Sequence, residues 1–242
     1  MYRVLPFLLL TACGGPEDTS APPGDDLCSD LSLAVAEVDP SRLMDTLTWL
    51  TSYPTRSGLD EQTEIIATLQ SDMDGHGAAT RLHGYTWRGN DWSNLVATFP
   101  ADADLDPGEP HIVIGAHIDS ASEAGADVAP GADDNASGVA ALLELGRVLG
   151  QCPGLDGRVD LVFFTNEEVG LVGSSLYASD AAATGEDITA MIAVDMIAYG
   201  TVGEDLDLNT KPGQEWLPQA FADAATTWTE MEVEQRIDDH CG

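Results

Sequence analysis

The sequence predicts an α/β fold in which helices pack against a mixed, largely parallel sheet. Three observations support this prediction. Residues 112–116 are a short, fully apolar run and residues 161–165 a mainly apolar one, as in strands that are buried on both faces. Residues 137–149, between them, repeat apolar side chains at helical spacing. Strands that alternate with helices in this order favour parallel pairing.

Each predicted element has a local reason. Asp39 and Pro40 can cap and open a helix, which the turn at residues 53–55 ends. A second helix begins near Asp60, and the glycines at 75–77 end it. The remaining predicted strands are 80–86, 94–99, 112–116, 159–165, 190–196 and 231–236, and the remaining helices are 137–149, 171–179 and 214–228.

Length and composition are those of one globular domain, but the charge is unusual. Of the 242 residues, 43% are hydrophobic, which is enough for one sizeable core. Nine basic residues against 42 acidic ones give a formal net charge of −33. Such a surface disfavours nucleic acid and anionic lipid as partners. Most of the acids are therefore expected to form a solvated surface.

Residues 1–13 predict export. Arg3 precedes an apolar run that is too short to span a bilayer, and the pattern Leu-Thr-Ala-Cys ending at Cys13 resembles a bacterial lipoprotein signal. Residues 14–30 would be a flexible tether to a domain at 31–242. We expect a cell-envelope lipoprotein, at the outer membrane or cell surface, attached only through its lipid. An ordinary secretory signal is the alternative.

The other cysteines are Cys28, Cys152 and Cys241. Because an exported protein lies in a disulfide-permissive compartment, Cys28 and Cys152 are a plausible pair, although sequence alone does not fix the pairing. Cys241 is then left over, which suggests that its partner belongs to a longer protein.

Polar residues lie at the C-terminal ends of predicted strands or in the loops just after them, where open α/β sheets place their ligands. They are His117, Asp119, Asp133, Asp134, Glu167, Glu168 and Asp195. His117 can bind a metal through one ring nitrogen while Asp119 accepts a hydrogen bond from the other. One imidazole with several carboxylates suits zinc, with manganese or cobalt possible. Two cations ~3.5–4 Å apart would form a hydrolytic centre.

Four motifs in this order resemble the co-catalytic di-zinc aminopeptidases, which include bacterial leucyl aminopeptidases and, more distantly, glutamate carboxypeptidase-like peptidases. The resemblance covers residues 40–242. The motifs are His-Ile-Asp-Ser at 117–120, Pro-Gly-Ala-Asp-Asp-Asn-Ala-Ser-Gly at 130–138, Glu-Glu-Val-Gly-Leu-x-Gly-Ser at 167–174 and Val-Asp-Met at 194–196.

The resemblance implies a role for each metal-facing residue. His117 would bind one zinc, with Asp119 behind it. Asp134 would bridge two zinc ions. Glu168 would bind the zinc opposite the one held by Asp195.

The resemblance also implies the chemistry and the fold. Glu167 would be the general base that moves a proton from water to the leaving amine. A cis peptide would follow the bridging aspartate, at 134–135. The implied fold is a three-layer α/β/α sandwich, and the implied function is that of a zinc-dependent aminopeptidase with peptide substrates. We separately expect a monomer, although the sequence leaves the oligomeric state open.

The pattern departs from the family at its end. The family's last zinc ligand is a histidine in a His-Thr-x-x-Asp segment downstream of a Cys-Gly turn, and the chain stops at His240-Cys241-Gly242. His240 precedes that turn, so we do not expect it to be a ligand. The expectation is a C-terminally truncated peptidase that lacks its last elements and holds its second zinc weakly. The alternatives are an inactive, peptidase-like surface lipoprotein and a single-zinc glutaminyl cyclase.

Overall fold

The computed structural model describes residues 31–103, 109–122, 128–152, 155–199 and 206–237. The predicted signal and tether at 1–30, with Cys13 and Cys28, lie outside the described residues, as do His240 and Cys241. Cys152 is buried and disulfide-bonded, and its pairing with Cys28 stays a prediction. The chain divides into two compact units: Ser41–Ala198 is one, and Met1–Pro40 with Tyr199–Gly242 is the other.

Every predicted helix and strand is present, and the helix at 31–36 and the strand at 206–210 are additional. Among the described residues, the helices are α1 Leu31–Ala36, α2 Pro40–Leu50, α3 Leu59–Gly75, α4 Gly138–Leu149, α5 Val172–Thr184 and α6 Trp216–Trp228. A π-helical turn, Ala132–Ser137, leads into α4. The strands are β1 Ala79–Trp87, β2 Asn90–Phe99, β3 His111–His117, β4 Arg158–Phe164, β5 Ala190–Ala193, β6 Leu206–Thr210 and β7 Val233–Ile237. No helix in the described ranges is both long and apolar enough to cross a bilayer.

The larger unit contains a five-stranded mixed sheet in the order β1-β2-β4-β3-β5. Strands β4, β3 and β5 pair in parallel, whereas β1 and β2 are an antiparallel hairpin that joins β4 antiparallel. The mixed α/β class is therefore confirmed, and its parallel part is the half that carries the predicted polar residues. In the smaller unit, β6 and β7 pair in parallel.

The hairpin turn explains why β1 and β2 are longer than predicted. Arg88 and Gly89 both have positive φ, at 50° and 81°, as a two-residue type I′ turn requires. The ladder therefore begins at the pair Trp87 and Asn90. Trp92 packs edge-on against Trp87, with ring centroids 6.2 Å apart, so the polar residues between the predicted strands also belong to the sheet.

Helices cover both faces of this sheet, which confirms the three layers within the larger unit. On one face α4 approaches closely, since a Cβ on Gly146 would lie 2.6 Å from the sulfur of Met73 in α3 and 3.3 Å from Leu161 in β4. On the other face, Tyr177 of α5 packs in a cluster with Val162. Adjacent residues of β4 thus face opposite layers, as strand geometry dictates.

The carboxyl ends of the parallel strands meet at one edge of the sheet. His117 at the end of β3 pairs with Phe164 at the end of β4, and Gly115 pairs with Ala193 at the end of β5. Strand β5 ends three residues before the predicted end at 196, so Asp195 lies in the segment after the strand. The polar residues that follow all three strands therefore share this edge.

Candidate metal centre

His117 lies at the centre of the acidic cluster. Its side chain is 4% exposed, and its Nε2 lies 3.2 Å from Asp134 Oδ1, 3.4 Å from Asp195 Oδ1 and 3.8 Å from Glu167 Oε2. The Asp134 and Asp195 side chains are about half exposed, at 46% and 50%. One buried ring nitrogen thus faces carboxylates that are open to solvent on their other side.

The contacts of His117 fit a divalent cation. Although it is buried, Nε2 has no hydrogen-bond partner among the described residues. A buried polar atom without a partner is costly, and here it is aimed at carboxylate oxygens. Two groups have ligand atoms within 4.8 Å of one another, namely His117 with Asp134 and Asp195, and His117 with Glu167 and Glu168. An imidazole with two or more carboxylates is a zinc-type donor set.

Asp119 connects the histidine to the Glu-Glu segment. Its side chain is 3% exposed, and Oδ1 lies 3.6 Å from His117 Nδ1. The same Nδ1 lies 3.2 Å from the backbone carbonyl of Asp119. Oδ1 and Oδ2 accept hydrogen bonds from the backbone N–H groups of Glu167 and Glu168, each at 3.0 Å. Asp119 therefore fixes both the imidazole and the backbone that follows β4.

The peptide between Asp134 and Asn135 is cis, as the resemblance implies. Asn135 is fully buried and connects this segment to the end of β5, because its Nδ2 donates to Val194 O at 2.8 Å. Its Oδ1 accepts from Gly138 N at 3.0 Å, at the start of α4. The backbone around Asp134 is thus attached to both the neighbouring strand end and the following helix.

Glu167 and Glu168 point to different partners, as expected for adjacent residues after a strand. Glu167 Oε2 faces His117, whereas Glu168 Oε1 accepts from the backbone N–H of Ala121 at 2.7 Å. Asn166, just before them, has a left-handed φ of 59°, and its Nδ2 donates to the hydroxyl of Tyr85 at 2.9 Å. Tyr85 in β1 therefore helps to set the direction in which the Glu-Glu segment leaves β4.

The close approach of the histidine and the carboxylates shifts the pKa values of His117, Asp134 and Glu167. Burial lowers the pKa of His117, but contacts with the carboxylates of Asp119 and Asp195 outweigh it and raise the pKa to about 10. Burial raises the pKa of Asp134 and of Glu167, against the opposing effect of His117. A cation and a proton therefore compete for the same nitrogen, as metal-ligating groups do.

All six predicted site residues converge at this edge: His117, Asp119, Asp134, Glu167, Glu168 and Asp195. Sequence reasoning missed the buried Arg56, whose guanidinium contacts backbone carbonyls beside the site. It also assigned no role to Asp133, whose Oδ1 accepts from Ala198 N at 2.8 Å. Both residues contact backbone groups of distant segments, and such contacts leave no motif in the sequence.

Two curated proteins of similar sequence are longer than this chain and match it over part of their length. It is 34% identical over 187 residues to the "Uncharacterized protein YfbL" of Escherichia coli strain K12, covering 74% of this chain and 56% of that protein. It is 31% identical over 156 residues to leucine aminopeptidase 1 of Uncinocarpus reesii, covering 61% and 38%. The chain thus spans about half the length, or less, of these curated relatives.

Solved structures share the fold. The LapA aminopeptidase of Legionella pneumophila superposes with a TM-score of 0.70 at 23% identity, over 84% of this chain and 56% of that one. A glutaminyl cyclase of Bacteroides thetaiotaomicron gives 0.66 at 19% identity, over 84% and 79%. The family model for Peptidase family M28 matches residues 94–241, a range that contains the whole acidic cluster. The chain therefore belongs to peptidase family M28.

Proposed function

We propose that this protein is a zinc-dependent aminopeptidase that hydrolyses N-terminal residues from peptides. The observation that carries the proposal is the buried Nε2 of His117, which has no hydrogen-bond partner among the described residues and lies between the carboxylates of Asp134 and Asp195, with Glu167 beside it. Membership of family M28 and the similarity to leucine aminopeptidases support the same activity.

His117, Asp134 and Asp195 would hold one zinc ion. Glu168, together with Asp134 as the family resemblance implies, would contribute to a second. Zinc bound there supplies a Lewis acid for the scissile carbonyl and lowers the pKa of water. Asp119 keeps the imidazole oriented, because it contacts Nδ1 and leaves Nε2 free.

Glu167 would act as the general base. Its carboxylate is half-buried and lies 3.8 Å from His117 Nε2, and burial raises its pKa toward the range suited to proton transfer. It takes a proton from the attacking water as the C–O bond forms. It then gives that proton to the amine nitrogen as the C–N bond of the peptide breaks.

The test is Glu167→Gln in the zinc-loaded protein, assayed by release of a chromophore from an aminoacyl substrate. The variant keeps the shape of the side chain but cannot accept the proton, so turnover should fall ~10²–10⁴-fold with the zinc content unchanged. Glu186→Gln, at an exposed position after α5, is the matched control and should keep wild-type turnover. Wild-type turnover in Glu167→Gln would refute the assignment.

Glutaminyl cyclase activity is the second candidate. The glutaminyl cyclase superposes over 79% of its own length, and His117 with Asp134 and Asp195 is a sufficient donor set for a single metal. A peptide with N-terminal glutamine separates the two activities, since cyclisation releases ammonia and leaves the chain length unchanged. Zinc binding without turnover of either substrate would favour the inactive scaffold.

The cellular location remains part of the proposal. Export and attachment through a lipid on Cys13 are supported by the sequence pattern at the N-terminus. Incorporation of labelled palmitate that is lost in Cys13→Ser would support the lipid anchor. A protein that is released into the medium without label would instead support the ordinary secretory signal.

A further inference from the structure

Arg56 is a fully buried arginine whose contacts are with backbone carbonyl oxygens. Its Nε donates to Ile118 O at 2.8 Å and its Nη2 to Gly131 O at 3.0 Å. Its Nη1 donates to Pro130 O and reaches Leu50 O at 3.5 Å. The planar guanidinium thus holds several carbonyl groups in one fixed arrangement, which an ammonium group could not reproduce.

The carbonyls of Ile118, Pro130 and Gly131 belong to the two segments that present metal-facing residues. Ile118 lies between His117 and Asp119, and Gly131 lies three residues before Asp134. Arg56 is therefore a direct bridge between the end of β3 and the turn that leads into α4. A shift of either segment would change the separation of His117 Nε2 and Asp134 Oδ1, which is 3.2 Å.

A second set of hydrogen bonds joins the same segments. The backbone N–H of Arg56 donates to Ser120 Oγ at 3.1 Å, and Ser120 Oγ donates to Ala129 O at 2.6 Å. Ala129 N donates to Pro54 O at 2.7 Å. None of these bonds uses a metal-facing atom, so the arrangement is built before any metal binds.

Packing around Gly131 leaves no room for this bridge to move. Gly131 has φ of 52°, and a Cβ at this position would lie 2.7 Å from Ser120 Cβ and 2.8 Å from Arg56 Nη2. The guanidinium, the Ser120 side chain and the Gly131 backbone therefore fill the space behind the site. A displaced guanidinium would have to displace the turn before Asp134 as well.

The positive charge of Arg56 also interacts with the acids of the site. Among the described residues, no carboxylate forms an ion pair with it within 4.0 Å. Burial lowers its pKa to about 10, while the charges of Asp119, Asp134 and Glu168 act in the opposite direction. A buried cation without a carboxylate in direct contact is costly. The acidic cluster is what offsets that cost, and Arg56 in turn reduces the repulsion between the acids.

We propose that Arg56 is a positioning residue of the metal centre, which sets zinc affinity by holding the His117 and Asp134 segments at a fixed separation. This inference rests on the proposed function, because it requires a metal at the site. A residue that only supported the fold would change the stability of the protein without changing the affinity for metal.

The experiment compares Arg56→Lys and Arg56→Met with the wild-type chain. Zinc affinity is measured by competition with a chromophoric chelator, and ligand geometry by the visible absorption of the cobalt-substituted protein. Both variants should bind zinc ~10–100-fold more weakly, the usual effect of losing a group that orients metal ligands. Lysine keeps the positive charge but lacks the planar group that donates to several carbonyls at once. If Arg56→Lys binds zinc as weakly as Arg56→Met, the hydrogen-bond geometry of the guanidinium, and not its charge, is the cause.

Arg158→Met is the matched control. Arg158 pairs with Asp160 in β4, at the opposite end of the strand from Glu167, with Nη2 2.6 Å from Asp160 Oδ2. Its loss should destabilise the fold while zinc affinity stays within about twofold of wild type. The control thus separates a loss of folded protein from a loss of metal affinity.

The outcomes separate this inference from the proposed function. If the wild-type chain binds no zinc, the proposed function fails and the role of Arg56 fails with it. If the wild-type chain binds zinc and both Arg56 variants bind it equally well with an unchanged cobalt spectrum, only the role of Arg56 is overturned. Should Arg56→Met not fold, Arg56→Lys alone decides, since it retains the buried charge.

Discussion

Replacing Asp119 by asparagine tests whether one buried carboxylate couples the histidine to the Glu-Glu segment. The introduced side-chain amide would keep one oxygen, which can still accept the hydrogen bond from Glu167 N or from Glu168 N. The amide nitrogen would face the other backbone N–H, where the wild-type chain has an accepting oxygen at 3.0 Å. The substitution therefore removes one charge-assisted hydrogen bond and leaves a donor without a partner.

The expected loss in the free energy of unfolding follows from these contacts. A hydrogen bond to a charged group contributes about 1.5–3 kcal/mol. Without metal, the substitution also removes the attraction between Asp119 and the protonated His117, and it relieves the repulsion of Asp119 with Glu167 and Glu168, so the two electrostatic effects oppose each other. We expect a net loss of about 1 kcal/mol in the metal-free chain and about 3 kcal/mol in the zinc-bound one. The difference of about 2 kcal/mol corresponds to roughly 30-fold weaker zinc binding.

The assay is urea denaturation of wild type and Asp119→Asn, each with excess chelator and with excess zinc, followed by direct measurement of zinc affinity. Asp160→Asn is the control, because Asp160 is an equally buried carboxylate in β4 that accepts from Arg158 and Thr98. It should lose the same stability with and without zinc. Equal losses under the two conditions in Asp119→Asn would refute the coupling.

Two further predictions concern the fold around the site. Gly173→Ala should destabilise the chain by about 1–3 kcal/mol, measured by urea denaturation, because the new Cβ would lie 2.5 Å from Asn94 Oδ1 in a buried position. Burial raises the pKa of Asp160, but hydrogen bonds from His111, Arg158 and Thr98 outweigh it and lower the pKa to about 2 from 3.8. Asp160 should therefore contribute about 2 kcal/mol above pH 4, which is lost as the pH falls toward 2 and is absent in Asp160→Asn.

The site can be predicted from sequence because its residues follow strands. The parallel pairing of β3 with β4 and β5 places residues 117, 165 and 194 at one edge, and short apolar runs reveal such strands. The polar residues just beyond each run then share a neighbourhood without any knowledge of the packing. This is why spacing and residue type are enough to find His117, Glu168 and Asp195.

Arg56 could not be found in the same way. Its partners are backbone carbonyls 62 and 75 residues away in sequence, and a carbonyl is present in every residue.

The full length of the β1–β2 hairpin was also missed. The turn at Arg88 and Gly89 is two residues long, and polar residues beside it hide a ladder that is held by packing between Trp87 and Trp92.

The division of hydrogen bonds within the site explains how it can bind a metal at little conformational cost. Asp119 is engaged by the backbone of the Glu-Glu pair, and Asn135 donates to Val194 O at 2.8 Å. These groups fix the segments. Among the described residues, by contrast, no protein donor other than the histidine reaches the carboxylates of Asp134 and Asp195. The fixed groups are satisfied by protein and the carboxylates of Asp134 and Asp195 are not, so a cation would meet ligands whose backbone is ordered before it arrives.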